Sequence, residues 1–404
     1  MIPFSEIVEA FIRDGSDQSM NTLITYAQKN TFSEPEIALL ARRMAESGII
    51  INLPVSYKYV DIASTGGPSS LSTILCPLFI VLLGHCVPKL AVPGRPAGGI
   101  DIMAQISDYS VSFKQKEIYK ILEECGYVHF LATDKFVPRD GELYEYRKKT
   151  STLNIPELAI ASLLSKKIAV GLVRAGLDIR VAPHGNFGNP WDEAKNNAHK
   201  FIRVARLLDI ESVCFITDAE RPYQPYIGRG EALLALEHIL ENTWNEWLKK
   251  HSMMCFAMVR SVTGVNEQYD NISWKHLKQI FSKHLQAQGS SYEKFLDTIY
   301  KVCNTHHEDV SAEQEGFVVI NLERLRYAIV KAQNVASTCT NIFSDPAGII
   351  LYKNTGDYVK KGEPIATIRC VADLTGNTIA EIKHTLSVTS NPGPIGNYEE
   401  VYYA

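Results

Sequence analysis

The segment YVDIASTGGPSSLSTILCPLFIVLL, residues 59–83, determines the fold expected for this chain. It predicts a short strand at 59–62, a loop of small residues at 64–67 and an apolar helix at 71–83. Glycines let a backbone approach a ligand closely, and the free N–H groups at a helix N-terminus point toward negative charge. A strand, loop and helix in this order therefore predict an anion-binding turn in an α/β protein. The alternative is a tight turn with capping hydroxyls, because short glycine motifs are weak signals.

Outward from this segment, strands and helices alternate. Strands are predicted at 87–92, 128–131, 178–181 and 212–216, and helices at 115–125, 192–208 and 228–240. Such alternation predicts a mostly parallel sheet with helices on its faces.

Both ends of the chain follow other patterns. Residues 3–50 are helical throughout, with Ser33 and Glu36 as a capping box, and the helical pattern returns over 139–169. Beyond residue 330, short strands alternate with glycine turns. We therefore expect an α/β protein of three parts: a helical domain (1–55 and 139–170), an α/β domain with a mixed or parallel sheet (56–138 and 171–330) and a β-rich C-terminal α+β region (331–404).

Composition excludes several classes of protein. The net charge of −4 disfavours sequence-independent nucleic-acid binding, which needs a positive excess. The longest apolar run, 74–83, is about half as long as a membrane span, and the acidic N-terminal helix is unlike a signal peptide. The eight cysteines form no C-x-x-C pair and lie mostly in apolar runs, as free thiols do in a reducing compartment. We expect a cytoplasmic protein without a metal site, a membrane segment or a nucleic-acid partner.

Two further groups of polar residues are candidates for ligand binding. Arg147 is followed by Ser162 and Lys166, which lie four residues apart on one helix face and suit the polar edge of a base or a carboxylate. His184 follows the strand at 178–181, at the edge where ligands bind in open α/β sheets. Taken alone, each group is more typical of solvated or structural side chains than of a ligand site.

Residues 132–167, ATDKFVPRDGELYEYRKKTSTLNIPELAIASLLSKK, carry a more specific signal. They resemble the pattern P-A-D…L-Y-x-x-R-D-x-T-x-T-V…A-S-I-x-S-K-K of the thymidine and pyrimidine nucleoside phosphorylases. The loop beginning at Asp61 is similar to the D-K-H-S-T-G-G phosphate loop of that family. Later landmarks match in the same order at 217–218, 286–289, 315–318 and 356–366. The fold family also includes anthranilate phosphoribosyltransferase, whose D-I-V-G-T-G-G loop this chain resembles somewhat as well.

The resemblance implies a helical domain beside the α/β domain, an active site in the cleft between them, and a homodimer formed through the helical domain. The substrates implied are a nucleoside or nucleotide and inorganic phosphate, with no cofactor and no metal. The resemblance implies that Arg147, Ser162 and Lys166 bind the base and that Ser64 and Thr73 bind phosphate. From the residues themselves we also expect Tyr144 at the base and His184 in catalysis with Arg147, Ser162 and Lys166. The other residues expected to bind phosphate are Thr65, Gly66, Gly67, Ser72 and Arg95.

The chain departs from the family on its anion side. The lysine and histidine that follow the loop's aspartate in the family are here Ile62 and Ala63, and the later glycine-rich stretch is shortened at 93–100. Arg95, Arg180 or His184 are candidates to replace the lost lysine.

Three functions remain open from the sequence. The first is phosphorolysis of a pyrimidine-type nucleoside to free base and pentose 1-phosphate. The second is phosphoribosyl transfer, or hydrolysis of a nucleoside or nucleotide. The third is a nucleoside-binding or regulatory protein without catalysis. Dependence on phosphate distinguishes the three.

Overall fold

A computed structural model describes residues 2–54, 58–94, 96–183, 185, 187–338, 341–392 and 402–403 of the 404-residue chain. In chain order the helices are α1 (Phe4–Asp14), α2 (Asp17–Lys29), α3 (Glu34–Glu46), α4 (Ser72–Leu82), α5 (Gly99–Met103), α6 (Gln115–Cys125), α7 (Pro138–Lys149), α8 (Pro156–Ala169), α9 (Trp191–Arg206), α10 (Arg229–Leu240), α11 (Glu246–Thr263), α12 (Trp274–Ala287), α13 (Tyr292–Cys303), α14 (Leu322–Ala336) and α15 (Thr375–Lys383).

The strands are mostly short. They are β1 (Val60–Ser64), β2 (Val87–Ala91), β3 (Tyr127–Leu131), β4 (Arg174–Val181), β5 (Glu211–Asp218), β6 (Tyr226–Ile227), β7 (His307–Ser311), β8 (Gly316–Ile320), β9 (Ala347–Leu351), β10 (Tyr358–Val359), β11 (Pro364–Cys370), β12 (Leu386–Thr389) and β13 (Tyr402–Tyr403).

A parallel sheet forms the centre of the molecule. Strand β1 pairs with β4, and β4 pairs with β5, all in parallel, while β13 adds antiparallel to the edge. Strands β2 and β3 form a second parallel pair, which a bridge between Tyr59 and Cys86 joins to β1. The strand order places the carboxyl ends of β1, β2 and β3 side by side, which is where ligands bind in sheets of this kind.

Helix α4, which follows the glycine loop, is buried on nearly every side. Its apolar residues belong to the same core cluster as those of α10, α11 and α12. A helix covered all round needs no polar face, which explains the unbroken apolar run that the sequence shows at 74–83.

The helical part is built from α1–α3 together with α7 and α8. Apolar residues on α1 recur at helical spacing, namely Phe4, Ile7, Val8 and Phe11, and all four are buried. Ser33 and Glu36 form the expected capping box at the start of α3. These helices share one apolar core with β3, β4 and α9, so α8 is packed firmly beside the parallel sheet.

Antiparallel strands dominate the C-terminal part, in the orders β6-β9-β11-β7 and β10-β8-β12, with α14 and α15 packed against them. Its apolar core combines Ile227 of β6 with residues from Ala312 onward, whereas the sequence places the boundary at residue 331. The mixed α/β class with an antiparallel C-terminal region is confirmed, and the domain boundaries stay a prediction. None of the helices in the described ranges combines the length and apolarity that crossing a membrane requires.

Candidate active site

A cleft of about 360 Å³ lies where α7 and α8 face the carboxyl ends of β1 and β2. Its strand side consists of the glycine loop after β1, a second loop after β2 and the residues beneath them. Its helical side consists of polar side chains from α7 and α8, and Arg326 of α14 completes the lining.

The first loop is fixed by hydrogen bonds to β4. The Thr65 N–H donates to the carbonyl of Asp178 at 3.0 Å, and the Arg180 N–H donates to Thr65 Oγ1 at 3.0 Å. Gly66 and Gly67 have φ values of 96° and 137°, which side chains other than glycine rarely adopt. The backbone conformation of this loop therefore requires glycine at both positions.

The second loop packs closely on the start of α4. A Cβ atom added at Gly99 would lie 2.9 Å from Thr73 Cβ, so only glycine fits at this approach. The Gly94 N–H donates to Asp101 Oδ2 at 2.7 Å, and Arg229 donates to Asp101 Oδ1 at 2.7 Å. These buried charged groups therefore hold the loop in place. The neighbouring Thr73 Oγ1 has no hydrogen-bond partner among the described residues.

Lys166 is the best-anchored side chain of the helical side. Its Nζ forms a buried ion pair with Asp140 and donates to Ser162 Oγ at 2.9 Å and to the Ser162 carbonyl at 2.8 Å. The four-residue spacing that the sequence shows between Ser162 and Lys166 therefore brings both groups to one edge of the cleft.

Arg147 lies beside them and is held by backbone rather than by a carboxylate. Its guanidinium donates to the carbonyls of Thr152 at 3.1 Å and Leu153 at 2.9 Å. Burial lowers the pKa of Arg147 to about 10, although Asp140 acts in the opposite direction, so the guanidinium stays charged at neutral pH. Burial likewise raises the pKa of Tyr144, which keeps the phenol protonated.

Two lysines share one aspartate at the floor of the cleft. Lys89 donates to Asp61 Oδ1 at 2.6 Å, and Lys167 forms an ion pair with the other oxygen, Oδ2. Burial alone would raise the pKa of Asp61, but the two ammonium groups outweigh burial and hold it well below its usual value. The cluster of Lys89, Asp61 and Lys167, here called the floor triad, therefore carries one net positive charge.

The structure places most of the predicted residues at this cleft. Those lining it are Ser64, Thr65, Gly66, Gly67, Thr73, Tyr144, Arg147, Ser162 and Lys166. Ser72 is buried beneath the loop, where its hydroxyl donates to Asp178 at 2.6 Å, so the structure does not place it on the cleft wall. Arg95 and His184 lie outside the described residues.

Arg180, a candidate for the lost family lysine, is neutralised. It forms a buried ion pair with Asp178 and stacks over Tyr223, with Arg180 Cζ 4.4 Å from the ring centroid. Its Nη1 has no hydrogen-bond partner among the described residues and lies 3.9 Å from the Cβ position at Gly67.

Reasoning from the sequence did not assign a role to several charged or polar lining residues, among them Lys89, His129, Lys167 and Arg326. Lys89 and His129 each interrupt an otherwise apolar five-residue strand, VPKLA and YVHFL, and that interruption was the available signal. Arg326 lies on an ordinary amphipathic helix, and no local pattern singles it out. Across the described ranges, no three His, Cys, Asp or Glu side chains gather in a way that could hold a metal ion.

Comparison with known proteins supports the same family as the motifs. The chain is 24% identical to the pyrimidine-nucleoside phosphorylase of Staphylococcus epidermidis over 371 residues, which cover 89% of this chain and 85% of that protein. It is 26% identical to the AMP phosphorylase of Methanococcus maripaludis over 369 residues, covering 87% of this chain and 70% of that protein. No model of a known protein family matches the chain.

Among solved structures, anthranilate phosphoribosyltransferase from Thermus thermophilus shares the fold, with a TM-score of 0.51 and 14% identity over 74% of this chain and 95% of that one. The chain therefore has the α/β fold of that transferase. In sequence it is a divergent homologue of pyrimidine-nucleoside and AMP phosphorylases over most of its length, and of a thymidine phosphorylase over half of it.

Proposed function

We propose that the chain is a pentosyltransferase that cleaves the N-glycosidic bond of a pyrimidine-type nucleoside with phosphate, giving free base and pentose 1-phosphate. One observation carries the proposal. A single cleft has the glycine loop after β1 on one side and Arg147, Ser162 and Lys166 on the other. An oxyanion bound at the loop would therefore face a base held by these three side chains.

The reaction needs charge stabilisation at both ends of the breaking bond. A phosphate oxygen forms a bond to the anomeric carbon as the carbon–nitrogen bond breaks, and the electron pair stays on the base, which leaves after taking up a proton. Arg147 and Lys166 lie where the negative charge of the departing base develops. Donors fixed in advance in a water-poor site stabilise such charge most effectively.

Charge in the cleft suits anionic reactants. The lining residues carry five cations, Lys89, Arg147, Lys166, Lys167 and Arg326, and one carboxylate, Asp61. The whole chain has a net charge of −4, so the positive charge is concentrated locally rather than spread over the protein. A cleft of this kind raises the local concentration of phosphate.

The test is a release assay. Purified protein is incubated with uridine, thymidine, deoxyuridine and cytidine, with and without inorganic phosphate, and free base is measured by chromatography. We expect release only with phosphate, and the same release from Lys148→Met, which changes an exposed lysine next to Arg147. Release that does not depend on phosphate would instead establish hydrolysis, and no release would favour phosphoribosyl transfer or a non-catalytic role.

A second candidate substrate is a nucleoside 5′-monophosphate. Arg326 adds a cation from α14 that a neutral nucleoside does not require, and a matched relative is an AMP phosphorylase. Nucleotides added to the same panel separate the two substrates, since faster release from the monophosphate than from the nucleoside would favour this candidate.

The proposal includes a cytoplasmic homodimer formed through the helical domain. Seven cysteines in the described ranges are free and mostly buried, in keeping with a reducing compartment. Sedimentation equilibrium of the full chain tests the dimer, and a mass near the single-chain 45.1 kDa would contradict it.

A further inference from the structure

We infer that Lys89 and His129 form a cross-strand pair that contacts the bound oxyanion directly, with Lys89 as its cation and His129 Nε2 as a hydrogen-bond donor. The pair replaces the charged and imidazole side chains that β1 lacks at Ile62 and Ala63. The inference rests on the proposed function for the identity of the oxyanion, inorganic phosphate.

The two residues are neighbours by register. Strands β2 and β3 pair in parallel with Lys89 opposite His129, so the two side chains emerge on the same face of the sheet. Both line the cleft, and both are buried. The pairing thus brings a lysine and a histidine that are 40 positions apart in the sequence to one point of the floor.

Lys89 has hydrogen-bonding capacity to spare. Its ammonium has three N–H groups, of which one donates to Asp61 Oδ1 at 2.6 Å and one to the Ile62 carbonyl at 2.9 Å. The third N–H has no acceptor in the described part of the chain. Because Asp61 is shared with Lys167, the carboxylate neutralises only one of the two lysines, and the surplus charge can bind an anion.

His129 is fully buried, yet its Nε2 has no hydrogen-bond partner among the described residues. An unpaired buried polar atom is costly, which indicates that a ligand group occupies the position opposite it. The backbone of His129 is fixed by Gln288, whose side-chain amide hydrogen-bonds both the N–H and the carbonyl of His129 at 3.0 Å.

The protonation state suits a donor. Burial and the charge of Lys89 lower the pKa of His129 well below its usual value, so the imidazole is neutral. Its Nδ1 lies 3.0 Å from the Tyr127 hydroxyl, and burial raises the pKa of that phenol, which stays protonated. When Tyr127 donates to Nδ1, the single ring proton is on Nε2, the ring atom that has no partner among the described residues.

Strand β1 itself supplies neither group. Ile62 is buried in the apolar core, where its Cγ1 lies 2.8 Å from the Cβ position at Gly176, and it is not among the lining residues. Ala63 does line the cleft, but a methyl group can neither donate a hydrogen bond nor carry charge. The neighbouring strands β2 and β3 provide both functions instead.

The test measures phosphate binding separately from turnover. The dissociation constant of inorganic phosphate is measured by calorimetry on the full chain, and the KM values for phosphate and nucleoside are measured in the release assay. Lys89→Met and His129→Leu are each expected to weaken phosphate binding about tenfold or more, as loss of a charge-assisted hydrogen bond does. The nucleoside KM is expected to change less than about twofold, since base contacts are untouched.

Conservative and remote variants serve as controls. His129→Gln places an amide N–H near the position of Nε2 and is expected to recover part of the phosphate affinity lost in His129→Leu. Lys200→Met removes a half-buried lysine that pairs with Glu157 at 2.7 Å outside the cleft, and is expected to leave the phosphate dissociation constant unchanged.

The outcomes separate this inference from the proposed function. If the protein binds phosphate but cleaves no nucleoside, loss of binding in Lys89→Met still supports the pair. If phosphorolysis occurs and both variants bind phosphate as the wild type does, the pair is overturned while the function stands. Absence of phosphate binding by the wild type also overturns it. If Lys89→Met does not fold, the test rests on His129→Leu. Phosphate affinity equal to that of the wild type in His129→Leu would then overturn the pair.

Discussion

The helical side and the strand side of the cleft differ in how their polar groups are satisfied. On the helical side, Lys166 has Asp140 and Ser162 as partners, and Arg147 donates to three backbone carbonyls. On the strand side, Thr73 Oγ1 and His129 Nε2 have no partner among the described residues. All three N–H groups of Lys166 therefore have protein partners, whereas Thr73 and His129 each have one buried polar atom that a ligand can satisfy.

This difference indicates how the two surfaces contribute. Side chains locked by protein partners are preorganised, so they stabilise charge without moving during the reaction. Unpaired buried groups destabilise the empty protein and recover that energy when an oxyanion binds. Substitutions on the helical side should therefore lower both stability and turnover, and substitutions of the unpaired groups on the strand side should change anion binding with little loss of stability.

Lys166→Ala should have the largest effect. Turnover should fall by about 10²–10³-fold, as when a preorganised donor to a developing negative charge is removed. The free energy of unfolding should also fall by about 3–5 kcal/mol, because Asp140 is left buried without its partner. Release-assay kinetics and urea unfolding measure the two effects.

A double variant separates the two effects of Lys166. Replacing the pair by apolar residues, Lys166→Met with Asp140→Leu, removes both charges and should restore most of the stability without restoring turnover. Full activity in either variant would contradict the assignment of Lys166 to the base.

Asp61→Asn tests the floor triad between the two sides. At pH 7 it should lower the free energy of unfolding by about 3–5 kcal/mol, because Lys89 and Lys167 lose their shared counter-charge. The measurement is urea unfolding of both proteins between pH 7 and pH 3.

The pH dependence of this effect has a defined sign. The lysines hold the pKa of Asp61 below its unfolded value, so its contribution is complete above about pH 4 and is lost as the pH falls further. The stability difference between wild type and Asp61→Asn should therefore shrink at pH 3. A difference that is constant from pH 7 to pH 3 would mean that Asp61 is not held ionised by the triad.

The sequence was sufficient for the parts of the molecule that local patterns specify. Alternating apolar segments predicted β1 to β5, and the helical spacing of Ser162 and Lys166 predicted that they share one edge. The glycine loop was recognised because its residue types are needed by its backbone conformation, with φ values of 96° and 137° at Gly66 and Gly67. In each case the determining contacts lie within a few residues.

Contacts between distant segments could not be predicted in the same way. Lys89 meets Asp61 only because β2 lies beside β1, and it meets His129 only through the register of β2 on β3. Ser72 was expected to bind the anion. In the structure its hydroxyl donates to Asp178 of β4 instead, a contact between segments more than 100 residues apart. Arg326 reaches the cleft because the C-terminal part folds back over it, which no local spacing encodes.

Gly66→Ala should have an intermediate effect on the strand side. Its φ of 96° is strained for alanine, but an added Cβ would contact nothing within 4 Å, so the protein should fold and lose about 1–2 kcal/mol. The methyl group would alter the loop where an oxyanion binds, and the KM for phosphate should rise about tenfold or more.

Gly356→Ala is a matched control for this strain. Gly356 has a φ of 92° and equally open surroundings, but it lies in a turn of the C-terminal part, away from the cleft lining. The two variants should show similar melting temperatures, with a raised phosphate KM only in Gly66→Ala. Equal phosphate KM values in both would remove the first loop from the anion site.

Thr73→Val should have the smallest effect, in opposite directions for binding and stability. The hydroxyl Oγ1 is buried without a partner in the described part of the chain, so replacing it by a methyl group should leave stability unchanged or slightly higher. The KM for phosphate should nevertheless rise about 2- to 10-fold, the usual effect of one neutral hydrogen bond. Thermal unfolding and release kinetics measure the two quantities.

Thr298→Val is a matched control in which the two effects should be reversed: stability should fall and the KM for phosphate should not change. Thr298 is a buried threonine whose Oγ1 donates to the Lys294 carbonyl at 2.8 Å on α13, outside the cleft. This variant should lose about 1 kcal/mol of stability and keep its phosphate KM. If Thr73→Val instead behaved like Thr298→Val, the Thr73 hydroxyl would be a structural group, and the strand side would be as fully satisfied without a ligand as the helical side.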